Sequence, residues 1–137
     1  MATKPRKNPF LYPNGYNLPR EKEPKALFWV ASAKKDLMAM PADVIDVFGY
    51  ALHLAQTGGK HAQTKSLEGF HGAGVLEVVE DHLGDTYRAV YTINIGKAVY
   101  VLHCFKKKST KGSQTPKPDM DLIRNRIKAA QAHAKGS

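Results

Sequence analysis

Between residues 85 and 109 the chain reads DTYRAVYTINIGKAVYVLHCFKKKS. Two apolar, β-branched runs flank the turn NIGK, where Gly96 is free to take φ > 0. A hairpin of this length needs a cover for its apolar side chains, and the rest of the chain must supply it. With Ile95 and Gly96 in the loop, Asn94 pairs with Lys97, Tyr91 with Tyr100, and Arg88 with His103. Arg88, Val90, Val101 and His103 then share one face. Tyr87, Tyr91, Tyr100, Leu102 and Cys104 take the other. The lysines Lys106, Lys107 and Lys108 emerge at the same open end as Arg88 and His103.

The cover is legible on both sides of the hairpin. KALFWVAS reads as a first strand. Ser32 is placed to cap a short helix over AKKDLMAM. Pro41 opens a longer helix that Gly58 and Gly59 stop. Val44, Phe48, Ala51, Leu52 and Ala55 recur along it at helical spacing, while His53 falls on its surface side. KHAQTKSLEGFHGAG is a Gly-rich loop without the Gly-Lys-Ser/Thr of a phosphate loop. Strands follow over about 75–80, 86–93 and 98–105, their close succession implying an antiparallel sheet. After a basic loop, DMDLIRNRIKAAQAHAKGS closes the chain as a helix. Asp119 stands at its cap, and Leu122, Ile123, Ile127 and Ala130 lie on one side. The expectation is one small α+β domain over 25–134, ordered β-α-α-β-β-β-α, with helices packed on an antiparallel sheet. Residues 1–24 read as a flexible basic arm.

A formal charge of +9 favours an anionic partner such as nucleic acid or the ribosome. No apolar stretch reaches the length of a membrane span, and the first residues lack the apolar core of a signal peptide. The lone cysteine, Cys104, rules out a disulfide framework within the chain, and a cytoplasmic location is expected. His53, His61, His71, His82, His103 and His133 show no paired metal-ligand spacing, so neither metal nor cofactor is expected.

At the hairpin's open end, Arg88 offers a fork for phosphate and the lysines offer compact charge. His103 belongs to the one side-chain type that ordinarily titrates near neutrality. Tyr87 and Tyr91 are candidates for stacking on bases. Taken singly, a lysine run after a strand is ordinarily a solvated end and a hairpin histidine ordinarily structural. Their convergence is what marks the cluster.

Four stretches in order carry a resemblance: FWVASAKKDLMAMPADVIDVFGYALHLAQTG, KSLEGFHGAGVLEVVED, the hairpin itself and TPKPDMDLIRNRI. Together they span about 26–128 and leave the arm outside. The chain resembles the phage-derived, HigB-like branch of the RelE/ParE superfamily, toxins of type II toxin–antitoxin systems. The resemblance implies a RelE-like fold and metal-independent cleavage of messenger RNA on the ribosome. There the ribose 2′-hydroxyl attacks the adjacent phosphate, giving a 2′,3′-cyclic phosphate and a 5′-hydroxyl. Arg88 matches the arginine of the family's YR-x-x-Y strand and is expected to stabilise the phosphate. Lys106, Lys107 and Lys108 match the basic segment after the last strand, one as acid or base. His103 joins this set as a candidate catalyst on the register above. Tyr91, Tyr87, Lys111 and Lys65 are the expected RNA contacts. One departure stands out: the strand before YR-x-x-Y reads VLEVVED, with Glu77 and Glu80 where the family carries basic residues. The implied partners are the ribosome, messenger RNA and a cognate antitoxin of helix-turn-helix type. ParE-like inhibition of DNA gyrase, or plain nucleic-acid binding by a phage-derived module, remains open beside the nuclease reading.

Overall fold

The chain folds as β1 (Ala26–Trp29), α1 (Ala33–Met38), α2 (Ala42–Gln56), β2 (Thr64–Ser66), β3 (Val75–His82), β4 (Asp85–Ile95), β5 (Ala98–Lys107) and α3 (Lys117–Lys135). These elements come from a computed structural model that describes residues 23–107 and 114–136. Most of the expected arm, residues 1–22, therefore lies outside the described residues, as do Lys108 and Lys111. The five strands form one sheet in the order β1-β5-β4-β3-β2. The expected small α+β domain with helices packed on a sheet is what forms, and that sheet is mostly rather than wholly antiparallel.

Two features of the sheet were not foreseen. A short strand, β2, lies in the stretch read as a Gly-rich loop and pairs antiparallel with β3. At the opposite edge β1 pairs parallel with β5, from Ala26↔Ala98 to Trp29↔Val101. The two-residue connections fix β3, β4 and β5 as antiparallel neighbours. β1 is joined to the sheet through the whole helical layer, so its direction is set by that crossover.

Both faces are covered. Leu37 of α1 and Val44, Phe48, Ala51 and Leu52 of α2 pack on Val78, Ala89, Tyr91, Val99 and Val101. Ile123, Ile127 and Ala130 of α3 pack on the opposite face, against Val90, Ile95, Tyr100 and Leu102. Burial on both faces explains why β4 and β5 read as near-continuous apolar runs rather than alternating ones.

The hairpin register differs from the expected one. Ile95 pairs with Ala98, leaving Gly96 and Lys97 in the turn, and Gly96 takes φ 60° there. Two irregularities follow, between Thr92 and Ile95 and between Val90 and Tyr91. Tyr91 opposes Val101, Val90 opposes His103, and Arg88 opposes Phe105. At the open end the net slip is even, so Arg88, Val90 and His103 keep the common face expected for them. In the middle it is odd, so Val101 turns to α1 and α2 while Tyr100 and Leu102 turn to α3.

Candidate functional site

β1 pairs with β5 only as far as Val101. Beyond that point α1 and the start of α3 flank β5, and a cleft of ≈980 Å³ opens between them. Tyr87, His103, Cys104, Phe105, Lys106 and Asp119 are among its lining residues. Strand alternation divides the expected cluster between the two faces of the sheet. Thr86↔Lys107 and Arg88↔Phe105 put Lys107 on the face of Arg88 and His103, under α3. Tyr87↔Lys106 puts Lys106 with Tyr87 on the other. Arg88 and Lys106 therefore do not converge as the simple hairpin reading had them, although β5 between the faces is only one strand wide.

Arg88 is buried and engaged through Nη1. Its Nη1 donates to both carboxylate oxygens of Glu77 and to Thr115 Oγ1, each at 3.1 Å. Thr115 donates its own hydroxyl to Glu77 Oε2 at 2.6 Å. Lys65, directly across from Glu77 on β2, adds its ammonium at 3.9 Å. Glu77 has no exposed surface, so its charge depends on these donors. Glu77 of VLEVVED is thus the counter-ion of Arg88. Lys65 is half-exposed, and its ammonium also serves this carboxylate.

His103 is the second engaged group. Its Nε2 meets Asp119 Oδ1 at 2.8 Å, and Phe105 stacks on the ring with centroids 4.4 Å apart. Burial lowers the imidazole's pKa from its ordinary 6.5, outweighing the raising effect of the Asp119 hydrogen bond and charge. At neutral pH the ring is therefore neutral, the form that accepts a proton. Arg126 clamps α3 to the strand beside it, donating to the Leu102 carbonyl at 2.9 Å and to Ser32 Oγ at 3.0 Å. Ser32 in turn donates to the Asp36 carboxylate at 2.7 Å instead of capping backbone with its hydroxyl. Asp119 likewise reaches His103 rather than serving as the N-cap, a position that falls to Pro116.

The remaining expected residues sort by exposure. Tyr91 has no exposed surface, and burial raises its pKa. It is a core residue beneath α1 and α2, which leaves no face for a base and corrects its expected role. Tyr87 is buried but reaches the cleft and the ring of His82, 6.5 Å away between centroids. Lys106 is half-exposed and pairs with Asp85 at 3.6 Å. Cys104 is buried, with its thiol pushed up to about 12, and holds the packing rather than reacting.

Sequence reasoning missed Thr115 and the role of Asp119. Both lie more than ten positions from their partners on β3, β4 and β5, and nothing local ties them to those strands. Glu77 carries a signal, a carboxylate inside the apolar run VLEVV, which calls for a cation on a neighbouring strand. Among the described residues no group of three His, Cys, Asp or Glu is arranged to hold a metal. No helix among them is long and apolar enough to cross a membrane.

A family model described as "Phage derived protein Gp49-like (DUF891)" matches residues 35–128, from α1 into α3. No curated protein and no solved structure matches the chain.

Proposed function

The chain belongs to the phage-derived Gp49-like protein family, and from that premise we propose that it is the toxin of a type II toxin–antitoxin system, cutting messenger RNA on the ribosome. One observation carries the nuclease reading: a neutral, buried histidine held by a carboxylate on the cleft that Lys106 and Tyr87 also line. Attack by a ribose 2′-hydroxyl needs a proton acceptor, a donor for the leaving oxygen and positive charge near the phosphate. His103 suits the first task, Lys106 the second, and Lys107 the third. No metal takes part in this reading.

Arg88 acts from behind the first layer, because its guanidinium is spent on Glu77 and Thr115. That same neutralisation supports a second, non-enzymatic reading, in which the basic end binds a target such as DNA gyrase without cutting. The toxin reading implies a cognate antitoxin, of helix-turn-helix type and encoded beside this chain, that covers the basic end or displaces α3.

Brief induction in bacteria, followed by mapping of new RNA 5′ ends, tests the nuclease reading. New 5′-hydroxyl ends in register with codons are expected, and a folded His103→Gln variant should abolish them. Growth arrest with DNA-damage signalling and no new ends would replace the nuclease with the gyrase reading.

A further inference from the structure

Asp119 stands in the first turn of α3, sixteen residues along the chain from the histidine it meets. An ionised carboxylate only accepts hydrogen bonds, so the ring nitrogen facing it must carry the hydrogen. The other nitrogen, Nδ1, is buried and has no partner among the described residues. Purely structural buried histidines generally satisfy both nitrogens, because an unmatched polar atom costs free energy. Here one nitrogen is fixed and the other is left as a lone pair.

We propose that Asp119 is a positioning residue for His103, holding the Nε2–H tautomer so that Nδ1 accepts the proton of the attacking ribose hydroxyl. This deepens the endoribonuclease reading and rests on it. In the step, the 2′-O–H proton passes to Nδ1 and the oxygen's electron pair forms the new P–O bond. The P–O5′ bond breaks with its pair on the leaving oxygen, which takes a proton from the Lys106 ammonium. Nδ1 has no surface in this arrangement, so a covering side chain must yield when substrate enters. Phe105, only half-buried, is stacked on the face of the same ring.

The charges around the ring make Asp119 the group that sets its proton affinity. From α3 come Asp119, which raises it, and Arg126, which lowers it. From α1 comes Asp36, which raises it. On the same face of the sheet Arg88 and Glu77 neutralise one another at 3.1 Å. Asp119 alone touches the imidazole with both a hydrogen bond and a charge.

The test is long-range ¹⁵N–¹H spectroscopy of His103 across pH, beside cleavage rates of a ribosome-bound message. Wild type should show the Nε2–H tautomer. Asp119→Asn removes a charge that favours the protonated ring, so the pKa of His103 should fall. The acidic limb of the cleavage rate should then move to lower pH with it. An Nδ1–H tautomer in wild type overturns the proposal even where cleavage is seen. So does a fall in pKa with an unmoved acidic limb, which would make the contact a helix tie alone. Absence of cleavage by wild type overturns the nuclease reading beneath it, whatever the spectra show. Should Asp119→Asn fail to fold, the wild-type tautomer decides.

Discussion

Glu77 and Arg88 show how a candidate catalytic residue and a structural one can be the same side chain. The guanidinium has the fork that suits phosphate, yet it lies buried against a carboxylate with no exposed surface of its own. Arg88→Ala would leave that carboxylate without its main partner, and breaking a buried pair in this way costs about 3–5 kcal/mol. Loss of toxicity in Arg88→Ala would therefore report unfolding as readily as lost chemistry. Replacing both partners, Glu77→Leu with Arg88→Leu, removes the charges together and should recover most of the stability, as read from urea denaturation. Toxicity retained in that folded double variant would remove Arg88 from the reaction, and toxicity lost would keep it there. Tyr91 and Cys104 carry the same lesson in simpler form. Their chemistry is attractive in a list of residues, and both are packed into the core.

Among the elements, the β3–β4 connection carries an unusual choice of residue. His82 pairs with Asp85 around a two-residue turn, and its central residues Leu83 and Gly84 have φ 49° and 85°. Positive φ at both positions is the mirror-image turn that suits the strand twist, and asparagine or glycine ordinarily fills it. Leucine is strained in this region by about 1–2 kcal/mol, and at 91% exposure it gains little packing in return. Leu83→Asn should raise the thermal midpoint, with a gain of up to about 1 kcal/mol in unfolding free energy. An unchanged or lower midpoint would mean that Leu83 makes compensating contacts. The β4–β5 connection obeys the usual rule, with Gly96 at the first central position. What it did not announce is the bulge above it. Between the two irregularities Tyr100, Val101 and Leu102 reverse their facing, and the second restores it, leaving Arg88 and His103 together.

For the whole molecule, the excess of cations decides how it meets a polyanion. The formal charge is +9, although several of the cations on the sheet are already paired with carboxylates. Binding to single-stranded RNA should weaken with salt at a log–log slope of about −0.7 for each phosphate contacted. Three contacts correspond to a loss of roughly tenfold or more between 50 and 200 mM salt. Affinity to a short RNA measured across that range gives the slope. A flat response would place the target outside nucleic acid and favour a protein surface.

The sequence by itself determined the described elements other than β2, and their order. Helical spacing in α2 and α3, the stops at Gly58 and Gly59, and the alternation of turn and apolar run are local signals, and each forms close to where it was read. The common face of Arg88 and His103 also follows from strand alternation once the turn is placed. Only the tertiary structure decided that β1 runs parallel to β5, because its partner lies across the entire helical layer. The same holds for Thr115 on the Glu77–Arg88 pair and Asp119 on His103, contacts formed when α3 folds back over the sheet. Periodicity reports which side of an element faces the core. It carries nothing about which polar groups of distant elements meet there, and at this site those meetings set charge, burial and proton affinity.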